Sequence, residues 1–222
     1  MAGDLASDLF GVQLPSQRAG RQLPLPLAWR QSASGAGEFL VGDSNLVAVR
    51  ALQHLREQPV PVAILRGPSG CGKSHLGRIF AETAGNHVID GIARDGEEAA
   101  FHLWNRVRAD GGALLVIVDT DFAPESVALP DLRTRLAASL PLSIEEPDVA
   151  LAGGIIDILL LRRGHGIGKG VGNFAAERIE RRYVALHAAV ATIDHAAIAS
   201  RRPINRTLVR QALADAGLAR AV

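Results

Sequence analysis

The residues best equipped for chemistry are Gly67-Pro68-Ser69-Gly70-Cys71-Gly72-Lys73-Ser74, which satisfy the spacing GxxxxGK[ST]. Glycines at these positions let the backbone curl until successive N–H groups face inward as a nest for an anion. A helix starting at the lysine adds the partial positive charge of its N-terminus. Lys73 can then reach the β- and γ-phosphates of a nucleotide, and Ser74 can ligate Mg²⁺. The competing reading is an ordinary Gly-rich turn that happens to contain a lysine. The flanks argue against it: apolar residues 62–65 lead in as a buried strand, and residues 73–84 lead out as a helix. Cys71 stands at an unspecified position and reads as loop filler, with no claim of thiol chemistry.

Hydrolysis at such a site needs a carboxylate at the end of a second strand to hold the metal, and usually a further acid to activate water. Two candidate strands end in Asp: residues 87–89 before Asp90, and residues 113–118 before Asp119, with Asp121 close behind. The residues alone leave the choice open. If Asp90 is the metal-side acid, its neighbour is Gly91 and the water-activating carboxylate is missing. Asp90 can equally be a strand-end residue that caps a turn.

The elements that position these residues alternate along the chain. Residues 44–57 read as a helix capped by Ser44, with Leu46, Val49, Leu52 and Leu55 on one face and Pro59 and Pro61 closing it. Residues 97–109 and 131–139 are helical, and 140–144 form a strand. The unbroken apolar run 113–118 is what a strand buried on both faces requires. This order predicts an α/β fold with a parallel sheet and helices on both sides. After Pro147 only helices are expected, over 149–162, 173–181, 184–200 and 205–216. The predicted organisation is a loose N-terminal segment (1–37), a nucleotide-binding α/β domain (38–147) and a small all-helical lid domain (148–222).

Composition narrows the field. Apolar residues are 48% and aromatics 4%, so the core rests on Leu, Ile, Val and Ala. A net charge of +1 gives no global field toward nucleic acid or membrane. A single cysteine excludes an internal disulfide and fits a reducing, cytoplasmic setting. No signal peptide is visible, and the longest apolar run, 155–161, is broken by Asp157 and falls far short of the ~20 residues that span a bilayer.

The order of motifs resembles the Hda family, which is similar to the AAA+ core of the replication initiator DnaA. Gln22-Leu23-Pro24-Leu25-Pro26-Leu27 resembles the segment by which that family binds the sliding clamp of the replicase. Phe39-Leu40-Val41-Gly42-Asp43-Ser44-Asn45 resembles the stretch that lines the adenine side, and the phosphate loop matches on through His75 and Leu76. Leu129-Pro130-Asp131-Leu132-Arg133-Thr134-Arg135-Leu136 resembles the region whose second arginine is the finger. Pro147-Asp148 resembles the opening of the lid; Ile193-Asp194-His195 and Arg202-Pro203-Ile204 resemble its last helices.

The resemblance implies an AAA+ P-loop domain with a helical lid. Because the finger follows the sensor strand closely in the family, 113–121 becomes that strand, with Asp119 on the nucleotide side. Asp90 becomes the degenerate Walker B acid. The short stretch after the P-loop helix implies one lost edge strand, which a sheet tolerates because only one neighbour loses a ladder. A sensor 2 arginine falls near Val184, with Arg181 one turn earlier; the plain alternative is a solvated basic face of Arg178, Arg181 and Arg182.

The functional expectation is an Hda-like regulator. It would bind ADP or ATP with Mg²⁺ and dock on the clamp through Gln22, Leu23, Leu25 and Leu27. It would present Arg135 to ATP-bound DnaA, promote hydrolysis there, and so prevent re-initiation. Two plain alternatives stand beside this: a strap at residues 22–27 packed on its own domain, and an Arg135 paired with Asp131. The alternatives at the level of function are a self-hydrolysing ATPase or helicase-loader-like module using Asp119 or Asp121, and an adaptor with an empty loop. A chain ending at Val222 is expected to read no DNA sequence directly, for want of a helix-turn-helix domain. A homodimer is left open.

Overall fold

The computed structural model describes residues 39–93 and 96–220. They fall into two units that alternate along the chain. One comprises Phe39 with Val49–Arg66 and Lys73–Leu142; the other comprises Leu40–Ala48, Gly67–Gly72 and the chain from Ser143 onward.

The first unit is α/β. Strand β1 (Val62–Arg66), helix α2 (Lys73–Ala81), β2 (Asn86–Asp90), α3 (Glu97–Ala109), β3 (Ala113–Ile117), α4 (Pro130–Ala137) and β4 (Leu140–Ser143) follow one another. The sheet has four strands in the order β2-β3-β1-β4. β3 lies parallel to β1, with Val62 opposite Leu114, and parallel to β2, with His87 opposite the same Leu114. Every residue of β3 is buried, as its all-apolar sequence demands. Val62, Ile64, Trp104, Leu114, Val116, Leu132 and Leu136 form one core. The strand ending in Asp90 is an edge, and its start is pinned by polar bonds. Arg56 Nε donates to Asn86 Oδ1 at 2.9 Å, and Asn86 Nδ2 donates to the Phe80 carbonyl at 3.0 Å.

Buried Glu97 sets the entry to α4. Its carboxylate accepts the N–H groups of Ala128 and Leu129 at 3.0 and 2.7 Å. These sit just ahead of the first turn of the helix, where donors have no intrahelical partner. Pro130 then opens α4 with a backbone already in helical φ.

Helix α1 (Asp43–Gln53) runs through both units, and a 3₁₀ turn (Leu55–Glu57) continues it. Val49, Leu52 and Leu55 are buried, so the expected apolar face is the right one. Ser44, however, is not the cap. The helix begins one residue earlier, at Asp43, and the Asn45 side chain organises the entry, accepting from Gly42 N at 3.0 Å and donating to the Leu40 carbonyl at 2.9 Å.

The second unit is helical beyond its two short N-terminal pieces. It contains α5 (Val149–Arg162), α6 (Val171–Ala176), α7 (Tyr183–Ser200) and α8 (Arg206–Asp215). Asp148 and Asn205 cap α5 and α8 by accepting from Leu151 N at 2.7 Å and Leu208 N at 3.0 Å. Ile156, Leu160, Phe174, Leu186, Val190, Ile193 and Val209 share one core. The helix expected over 173–181 begins at Val171 and ends at Ala176. Beyond it, Arg178 N bonds the Ala175 carbonyl in a tighter turn, and Arg178 Nη1 caps the Phe174 carbonyl at 2.9 Å. No described helix is long and apolar enough to cross a membrane.

Candidate functional site

The phosphate-loop residues join β1 to α2, as their sequence requires. Gly70 and Gly72 have φ of +79° and +94°, a conformation that L side chains resist. Gly67 serves proximity instead: a Cβ there would lie 2.9 Å from Cys71 Sγ and 3.0 Å from the Ile144 carbonyl. Cys71 is buried against that glycine and fills the inside of the loop, consistent with a packing role. Pro68 accepts from Cys71 N at 3.3 Å, while Ser69 and Gly70 lie at the exposed tip. Lys73 and Ser74 form the first turn of α2, where the helix dipole favours negative charge.

Lys73 Nζ stands 3.8 Å from Asp119 Oδ1. The lysine side chain is 10% exposed and the aspartate 85%, so the pair is loose on its acidic side and easily exchanged for a phosphate. Asp119 lies two residues past the end of β3, the strand beside β1, which explains why it meets the lysine. Asp90 ends the next strand out and is exposed. Gly91, which follows it, donates its N–H to the Ile117 carbonyl at 2.9 Å.

The His75 ring lies edge-on to Phe39, with centroids 5.8 Å apart. Leu40 and Val41 are half-buried in the other unit. Arg135 Nη1 donates to Asn105 Oδ1 at 2.5 Å, and its guanidinium lies 4.4 Å from the centre of the Phe101 ring. It therefore rests on α3. Arg133 bonds the Val127 carbonyl through Nε at 3.0 Å. Arg181 is exposed, in the non-helical stretch between α6 and α7. Gln22, Leu23, Leu25 and Leu27 lie outside the described residues. Among the described residues no cluster of three or more His, Cys, Asp or Glu side chains forms a protein-only metal cage. The donor set around the loop fits a magnesium ion carried by phosphates, which needs only one or two protein oxygens such as Ser74 and a carboxylate.

No family model matches the chain, and no curated protein sequence is significantly similar to it. Solved structures are. Domain III of the Thermotoga maritima replication initiation protein DnaA superposes with a TM-score of 0.61 at 19% identity, covering 80% of this chain and 94% of that one. The fold is that of an AAA+ P-loop domain. The Thermotoga maritima RuvB Holliday junction branch migration motor gives a TM-score of 0.55 at 17% identity, over 79% of this chain and 70% of that one. A replication initiator DnaA bound to AMPPCP and single-stranded DNA gives 0.51 at 15%, over 70% and 62%.

Sequence reasoning did not find the second unit's own contacts to the loop. His187 Nε2 lies 3.2 Å from the Gly70 carbonyl oxygen, across 117 positions of sequence. Tyr183, one helical turn earlier on α7, is buried with its backbone N–H bonded to Glu146 Oε2 at 3.2 Å. Burial pushes the Tyr183 phenol up to about 12, and nearby Cys71, Glu146 and Asp148 push the same way. The Tyr183 and Ser44 hydroxyls, both buried, stand near each other without a hydrogen bond of good geometry. A histidine on an exposed helix face carries no local sequence signal of such a role.

Proposed function

We propose that the chain binds ADP or ATP with Mg²⁺ at residues 67–74 and acts as an Hda-like regulator of replication initiation. The observation that carries the nucleotide reading is the loop itself: left-handed Gly70 and Gly72 lead into the N-terminus of α2, with Lys73 beside the exposed Asp119 carboxylate. A nucleotide's phosphates would lie against the loop N–H groups and Lys73, and the Mg²⁺ would take Ser74 and an acid, Asp90 in this reading. Leu40, Val41 and His75 would border the base, with Asp119 and Arg181 on the phosphate side.

The regulatory part rests on the motif order and on Gly91, which follows Asp90 and offers no carboxylate to orient water. In this reading the chain hydrolyses ATP poorly itself. Gln22, Leu23, Leu25 and Leu27 dock on the sliding clamp in the cytoplasm, and Arg135 reaches the nucleotide of a DnaA partner, leaving Asn105 to do so. A guanidinium beside the transferring phosphoryl group can supply ~10³–10⁵ in rate. The test is conversion of DnaA-bound ATP in the presence of DNA-loaded clamp. Arg135→Ala should lose the stimulation while keeping nucleotide and clamp binding; undiminished stimulation rules Arg135 out. Gln22→Ala with Leu25→Ala should lose clamp binding at unchanged thermal stability.

One observation favours a second reading. Asp119, not Asp90, is the acid beside Lys73, at 3.8 Å. An ATPase that hydrolyses for itself would use Asp119 as its metal-side acid. Rapid turnover by the isolated chain, abolished in Asp119→Asn, would decide for that reading.

A further inference from the structure

The loop that would hold phosphates has a support that its motif does not contain. Gly70 is at its exposed tip with φ +79°, and a Cβ there would lie 3.1–3.2 Å from the His187 ring and 3.8 Å from Tyr183 Cβ. The first two turns of α7 thus pack on the loop at Gly70. A carbonyl can only accept, so the hydrogen between His187 Nε2 and Gly70 O, 3.2 Å apart, belongs to the imidazole. The Gly70 carbonyl and the next N–H belong to one peptide plane. That plane is therefore held from both ends, by His187 on the Gly70 oxygen and by the Pro68 carbonyl that accepts the Cys71 N–H at 3.3 Å. Tyr183 anchors the preceding turn of α7: it is buried, and its backbone N–H is held by Glu146.

We propose that His187 is a positioning residue for the nucleotide site: its bond to the Gly70 carbonyl holds the loop in its phosphate-binding shape and makes nucleotide affinity depend on helix α7. The inference rests on the reading of residues 67–74 as a phosphate site. By linkage, a partner that shifts α7 changes nucleotide affinity, and bound nucleotide changes the partner's affinity by the same factor.

The test is titration of the full chain with a fluorescent ADP analogue, comparing the parent with His187→Leu and His187→Gln, alongside thermal unfolding without nucleotide. Leucine removes the donor; glutamine keeps an N–H at nearly the same reach. The leucine variant should bind roughly three- to tenfold more weakly, the span of one ordinary hydrogen bond. The glutamine variant should return close to the parent. Because His187 is exposed, all three should unfold at the same temperature. Equal affinity of parent and leucine variant overturns the inference and leaves the phosphate site standing. So does equal weakening in both variants, which would make the imidazole's bulk the cause. A fall in unfolding temperature that parallels the lost affinity also overturns it, because the defect is then one of folding. A parent that binds no nucleotide overturns the phosphate site itself and the inference with it.

Discussion

Two glycine-bearing regions of the helical unit use the missing side chain for different ends. In the phosphate loop, Gly70 and Gly72 are there for backbone direction: their φ values are +79° and +94°, and Gly70's nearest side-chain neighbour is an exposed histidine ring that can move. Between α5 and α6, Gly153 and Gly172 are there for contact. A Cβ on Gly172 would run into the Gly153 carbonyl and the Asp157 carboxylate; one on Gly153 would meet the Asn173 backbone at 2.8–2.9 Å. Backbone cannot step aside as a side chain can, so the second pair is the more rigid constraint. The first region sets the direction of the backbone and the second holds two helices together.

The largest effect should come from the helix pair. Gly172→Ala should lower unfolding stability by about 3 kcal/mol, the cost of forcing atoms into a packed contact. Urea midpoints measure this. An alanine variant as stable as its parent would mean that α5 and α6 can part freely, and the contrast with the loop would disappear.

Next in size is Lys73→Ala. It removes the cation at the loop, and the Asp119 carboxylate that loses its ion pair is exposed, so that charge stays solvated. Nucleotide binding should weaken by roughly 30-fold, the scale of one charge-assisted bond, at an unchanged urea midpoint. Calorimetry with ADP and ATP checks it; equal affinity would remove the phosphate-site assignment.

Gly70→Ala sharpens the comparison within one residue type. The left-handed backbone makes alanine unfavourable by about 1–2 kcal/mol, which the exposed tip can relieve by changing shape. Nucleotide affinity should therefore fall by more than stability does. Should Gly70→Ala unfold the protein as far as Gly172→Ala, the two regions are not distinct in kind.

The smallest effect concerns Asp157, which accepts Gly172 N–H at 2.8 Å inside the same helix contact. Burial raises its carboxyl above the ordinary 3.8, and the Gly172 bond only partly offsets this. The folded state therefore binds the proton more tightly than the unfolded state. The ionised form costs stability above the raised value, and that cost vanishes below 3.8. Asp157→Asn keeps an acceptor for Gly172 and removes the charge. It should unfold slightly above the parent at neutral pH, with the gain shrinking as pH falls toward 3.8. A gain that persists unchanged in acid would show that the carboxyl's ionisation has no part in it.

Much of the α/β unit was legible in the sequence. The five residues of β3 are all apolar, and a strand apolar at every position must be covered on both faces. The glycine-rich loop between β1 and α2 was equally plain, because its glycines, lysine and serine lie within eight consecutive positions. Ser44 shows the limit. A serine before an apolar-periodic stretch is a fair cap signal, but Asn45 reached both Gly42 and Leu40, and the helix began at Asp43. Arg135 shows it again. Helical spacing suggested Asp131 as its alternative partner, yet it bonds Asn105 and covers Phe101, both on α3.

By itself the sequence determined those things whose physical cause is local. These are the curl of residues 67–74, the periodicity of the helices and the burial of β3. Tertiary structure alone decided which carboxylate meets Lys73. Asp119 follows β3 and Asp90 ends β2, and only the order β2-β3-β1-β4 puts the first next to β1, the strand that leads into the lysine's loop. Tertiary structure also decided that Gly153 and Gly172 touch, and that His187 finds Gly70 across 117 positions. No propensity or spacing encodes such pairs, because their energy comes from packing between elements that meet only once the chain has folded.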